Sequence, residues 1–76
     1  MSRRPPAVKP KEVLRALSKA GFFVHHTSGS HYVLKHPDKP HLRVTVPYHN
    51  RDLKRGTLAS IIDQAGLSTE EFVELL

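Results

Sequence analysis

Cysteine is missing from the chain altogether. That absence removes disulfides and thiolate–metal sites as ways of holding a small fold together, and gives no sign of an oxidising compartment. No apolar run approaches the length that spans a bilayer, and the opening stretch MSRRPPAV carries no hydrophobic signal region. The expectation is therefore a soluble, cytoplasmic chain with no membrane partner. Glycine-rich phosphate loops, paired carboxylates and a Ser–His–Asp set with workable geometry are absent too. Asp38 falls in a turn, Asp52 and Asp63 are far apart, and Glu70, Glu71 and Glu74 belong to one helix as a solvated face. No cofactor and no metal are expected.

What remains is short, basic and rich in histidine. Seventy-six residues make one domain with a single compact core; a chain this small buries only about 60% of its unfolded surface, so its stability margin is thin. Twelve Lys and Arg against seven Asp and Glu give a net charge of +5. Such a balance fits a polyanionic partner, with solubility as the other reason for it. Six histidines are present. Any of them that does chemistry has to be distinguished by its neighbours.

Residues 1–8 read as a flexible basic tail and 9–76 as the domain. In PKEVLRALSKAG, Val13, Leu14, Ala16, Leu17 and Ala20 repeat at helical spacing, Pro10 suits a first turn and Gly21 a stop. FFVHH reads as a strand ending in the polar turn TSG, SHYVLKH as a second strand closed by PDKP, and HLRVTV as a third. After an irregular connection, Thr57 is the expected N-cap of a helix carrying Leu58, Ile61, Ile62 and Ala65. A last short helix follows, with Ser68 and Glu71 spaced as a capping box and Leu67 and Phe72 as a hydrophobic staple. The order predicts an α+β fold, α-β-β-β-α with an extra short C-terminal helix. Its three-stranded antiparallel sheet would carry the helices on one face and leave the other to solvent.

Alternation then sorts the strand residues. Leu42, Val44 and Val46 face the helices, so Arg43 and Thr45 face out. In the second strand, Tyr32 and Leu34 go inward more readily than His31 and Lys35, because burying an unpaired charge costs far more than exposing Val33. His31 thus stands on the open face with Lys35 and Arg43, just after the small-residue step Gly29–Ser30, which lets another backbone approach closely. A solvated imidazole flanked by cations suits phosphate chemistry, and an inert surface histidine is the competing reading. The other histidines carry weaker signals. His25 and His26, adjacent in a strand, are expected on opposite faces and unable to chelate one metal; His36 and His41 flank a turn and could pair across it. His49 lies in a loop. Lys54 and Arg55, just before a helix N-terminus, can hold a phosphate or be simply solvated.

Taken together, LSKAGFFVHHTSGSHYVLKHP, VTVPYHNRDLKRGTL and IIDQAGLSTEEFVELL resemble the HicA family of mRNA interferase toxins. The likeness runs from about Lys9 to Leu76, and its most specific elements are the Gly–Ser–His step at 29–31, VPYH at 46–49 and GTL leading the second helix. The resemblance implies a fold like that of double-stranded-RNA-binding domains and an endoribonuclease that cuts mRNA without a metal. It also implies a HicB-type antitoxin that covers the active site, with DNA reached only through that antitoxin. The family's catalytic histidine falls on His31. Gly29, Ser30, Lys35, Arg43, Lys54 and Arg55 are the expected RNA-binding residues, the four cations by strand and helix geometry rather than by the family, with Lys35 and Arg43 expected to meet the charge of the phosphorane. RNA brings its own nucleophile, the 2′-hydroxyl, so one imidazole near neutrality can take that proton or protonate the leaving 5′-oxygen. The second proton transfer falls to water, Tyr48 or His49. The rival from another class is a non-catalytic RNA-binding module of the same fold, although LKRGTLAS offers only Lys54 and Arg55 where such modules carry a dense lysine cluster.

Overall fold

A computed structural model describes residues 6–76 of the chain. Helix α1 spans Pro10–Lys19, strands β1, β2 and β3 span Phe23–Ser28, His31–His36 and Lys39–Pro47, and helices α2 and α3 span Arg55–Gln64 and Thr69–Leu75. The strands form one antiparallel sheet in the order β1-β2-β3. This is the expected α+β arrangement with the fold of double-stranded-RNA-binding domains. No helix among the described residues is long and apolar enough to cross a membrane.

Local rules account for where most elements begin and end. Pro10 opens α1, where its missing N–H is no loss, and the Glu12 carboxylate accepts the Lys9 N–H at 3.0 Å. The helix stops in a Schellman motif: the Phe22 N–H donates to the Leu17 carbonyl and the Gly21 N–H to Ser18, both at 3.0 Å. That turn needs the φ of +99° found at Gly21. Helix α2 ends the same way, with Leu67 N–H on Ile62 and Gly66 N–H on Asp63. The capping box of α3 forms as expected, Ser68 Oγ accepting the Glu71 N–H at 3.0 Å and Glu71 Oε1 accepting the Ser68 N–H at 2.8 Å.

The core lies between the sheet and the helices. Val13, Ala16 and Leu17 of α1, Leu58, Ile61 and Ile62 of α2 and Phe72 of α3 meet Leu34, Val44 and Val46 from the strands. The expected inward set is therefore the observed one, with Tyr32 and Leu42 half-buried at its margin. The helices pack on the β3 side of the sheet, which leaves β1 exposed along its whole length.

Several boundaries move. Val8, the last residue of the stretch read as a tail, is only 2% exposed and its carbonyl accepts the Leu53 N–H at 2.8 Å; residues 1–5 of that stretch lie outside the described residues. Thr27 and Ser28 belong to β1, opposite Tyr32 and His31, so the connection is the two-residue loop Gly29–Ser30 rather than TSG. Gly29 has φ +58° while Ser30 stays negative, the φ order of a type II′ hairpin turn, which suits the twist of the flanking strands. Helix α2 starts two residues before Thr57, at Arg55 with Lys54 as N-cap. Lys54 offers no side-chain acceptor, so rules that look for Ser or Thr pass over it.

Candidate active site

His31 is set by the hairpin. It is the first residue of β2, directly after the Gly29–Ser30 turn, and pairs with Pro47 at the end of β3. Pro47 has no N–H, and the next residue takes over: the Tyr48 N–H donates to the Ser30 carbonyl at 2.6 Å, pinning the turn on which His31 stands. The Tyr48 ring stacks on Tyr32 with centroids 4.7 Å apart and planes 21° from parallel. So the VPYH segment fixes the histidine's backbone from the neighbouring strand.

Around the imidazole lies an open groove of about 420 Å³, lined by His31, Thr45 and Pro47 on one side and Gly56, Thr57, Ser60, Ile61 and Gln64 of α2 on the other. Helix α2 is held there by its own polar face. Gln64 Oε1 accepts the backbone N–H of Thr45 at 2.9 Å, and Gln64 Nε2 donates to Ser60 Oγ at 3.3 Å. One side chain thereby occupies a donor on the outer edge of β3 and ties the helix to it. The lining offers one imidazole, three hydroxyl or amide side chains within reach on α2, and no carboxylate. Such a set can hold and deprotonate a hydroxyl, and it contains no carboxylate of the kind that anchors a hard divalent cation.

The expected site residues divide into near and far. Gly29 and Ser30 form the turn under His31, and Lys54 and Arg55 sit at the start of α2, next to the groove residues Gly56 and Thr57. Lys35 and Arg43 do share the face of His31, and they oppose each other across β2 and β3. Four residues of strand nevertheless put them about 13 Å from it, and neither lines the groove, so the expectation that they meet the phosphorane charge at His31 does not hold. Val33, expected to be exposed between them, is only 4% exposed; it is flanked on that face by His26 and Thr45. The open face is therefore covered by side chains rather than bare. Thr57, Ser60 and Gln64 were not anticipated by sequence reasoning. Their spacing of three and four residues puts them on one face of a helix, a signal indistinguishable from a solvated stripe until α2 is placed beside β3.

Four of the remaining histidines, His25, His26, His36 and His49, make contacts of their own. A bulge between Val24 and His26 adds His25 to β1 and breaks the alternation, so His25 and His26 do not diverge: their Nδ1 atoms lie 2.8 Å apart. His36 does not pair with His41. Its Nε2 donates to the Ala20 carbonyl at 3.1 Å, its Nδ1 accepts the Asp38 N–H at 3.1 Å, and its ring meets Phe22 edge-on. His49 Nδ1 accepts the Arg51 N–H at 3.1 Å, and His49 lines a second cavity rather than the groove. Neither Tyr48 nor His49 is among the groove residues. No group of three or more His, Cys, Asp or Glu residues among the described residues is placed to hold a metal ion.

Residues 10–67 match the family model described as the HicA toxin of bacterial toxin–antitoxin systems. No match is found among the curated proteins.

Proposed function

Because the chain belongs to the HicA toxin family, and so acts as the toxin of a toxin–antitoxin pair, we propose that it is a metal-independent endoribonuclease with His31 as its general acid–base. The observation that carries this reading is the place of His31. The turn and Tyr48 hold its backbone, and its ring opens into a groove whose other polar groups are hydroxyls and an amide. The 2′-hydroxyl of a bound ribose attacks the adjacent phosphorus, with His31 accepting its proton or protonating the departing 5′-oxygen. Phosphorus–oxygen bond formation on the 2′ side and cleavage on the 5′ side leave a 2′,3′-cyclic phosphate and a 5′-hydroxyl. The hydroxyls of Thr45, Thr57 and Ser60 line the groove and can hydrogen-bond the charged phosphorane; water supplies the second proton transfer. Lys35 and Arg43, further along the face, then act on the RNA backbone as it leaves the groove, and Lys54 and Arg55 as it passes the start of α2.

A HicB-type antitoxin is the partner this reading expects, seated over the same groove. A basic surface with His31 in it is complementary to an acidic one, and covering it blocks RNA without any conformational change. The test of the chemistry is to incubate the protein with a defined single-stranded RNA in the presence of EDTA and to label the product ends. Cleavage that survives the chelator and leaves 5′-hydroxyl ends supports the reading. Products bearing 5′-phosphate, or activity that needs a divalent ion, rule it out.

A further inference from the structure

Beside the His31 groove lies a second cavity, of about 360 Å³, lined by His49, Arg51, Asp52 and Lys54. We infer that it is a phosphate-binding subsite, taking the backbone phosphate of the nucleotide next to the one seated at His31. The inference rests on the ribonuclease reading of the groove and extends it by one position along the RNA.

The lining is a set of donors. Arg51 presents a planar fork suited to two phosphate oxygens, and Lys54 a compact point charge. The tautomer of His49 is set by its own loop: Nδ1 accepts the Arg51 N–H, so in the neutral ring the hydrogen sits on Nε2. That nitrogen is a donor whether the ring is neutral or protonated. Asp52 is the single carboxylate among the lining residues and does not outweigh the two permanent cations.

Its position follows from the chain itself. Pro47 lines the groove and His49 the second cavity; Lys54 lines the second cavity and Gly56 the groove. On both walls the step between sites is two residues, and two residues span at most about 7 Å. The cavities therefore adjoin along two separate strands of backbone. A polynucleotide whose reacting phosphate lies beside His31 meets this second set of donors within a nucleotide or so. Binding energy realised there, away from the bond that breaks, orients the ribose at His31 without taking part in proton transfer.

The experiment uses the full chain and a short single-stranded 2′-O-methyl RNA, which binds and cannot be cut. Affinity is measured over a range of salt for the parent protein, for Arg51→Ala, for His49→Ala and for Lys11→Ala, a charge removed from the exposed face of α1. Arg51→Ala should weaken binding by at least about tenfold, the worth of a charge-assisted contact. It should also flatten the log–log salt slope by about 0.7, one phosphate on a single strand. Lys11→Ala should do neither. In parallel, inorganic phosphate should shift the His49 imidazole resonances in the parent, and that shift should vanish in Arg51→Ala. If Arg51→Ala and His49→Ala bind RNA with parental affinity and slope, the subsite is overturned while the ribonuclease reading stands. If the parent binds no RNA at all, both fall.

Discussion

His31 and His36 open and close the same strand, yet only one is free for chemistry. Both nitrogens of His36 are occupied, one donating to Ala20 and the other accepting from Asp38. Among the described residues no hydrogen bond ties up the His31 ring. Alternation along β2 is enough to place each ring on its face; what each ring touches depends on Ala20 and Asp38, whose positions follow from a helix end and a turn. The structural role of His36 can be tested at Gly21. A Cβ added there would stand 2.6 Å from His36 Nε2, on a backbone with φ +99°. Gly21→Ala should therefore destabilise the protein by about 1–3 kcal/mol in chemical denaturation, as strain at a special φ usually does. Gln64 is the matching residue on the other side of the groove. Gln64→Ala removes the partner of the part-buried Thr45 N–H, and a loss of about 1–3 kcal/mol is expected from the unsatisfied donor. Cleavage should fall with it, because the α2 wall loses its tie to β3.

Among the elements, the helices were more legible than the site they help build. The apolar spacing of α1, the Ser68–Glu71 box and the Gly21 and Gly66 stops are local signals and appear as read. The hairpin was less so. Thr27 and Ser28 are small and polar, which suggests a turn, but the Gly29 turn takes only two residues and leaves both in β1. His25 is harder still, since nothing local announces a bulge. The groove's second wall could not be read at all, because Thr57, Ser60 and Gln64 gain meaning only from the side-by-side placement of α2 and β3. The α3 cap gives a prediction at this scale. Glu71's carboxyl is held below its ordinary range, chiefly by the Ser68 N–H it accepts, then by the Ser68 hydroxyl and by Lys39. A carboxyl with a depressed folded-state pKa stabilises above its unfolded value and loses that contribution as pH falls. The cap should therefore weaken as pH falls below the ordinary glutamate value and through the lowered one. Ser68→Ala should cost about 1 kcal/mol at neutral pH, measured by urea denaturation, and Glu71→Gln should flatten the acid dependence of stability.

At the scale of the whole molecule, a net charge of +5 and a sheet face that carries Lys35 and Arg43 with no helix packed over it favour a polyanion on that face. The toxin needs a partner that silences it, and the groove is where steric cover is most economical. With His31→Ala protein, bound antitoxin should exclude RNA, while Lys35→Glu combined with Arg43→Glu should weaken binding of both. A ternary complex at full RNA affinity would place the antitoxin elsewhere. All of this depends on His31 being the group that moves the proton. The direct measurement is the single-turnover cleavage rate of one defined RNA by the parent and by His31→Ala, each shown by circular dichroism to be folded. An exposed side chain holds little of the core, so the variant should fold normally. Its rate should fall by roughly a hundred- to ten-thousandfold, the usual worth of a general acid–base group. A folded His31→Ala protein that cuts at the parental rate would contradict the account.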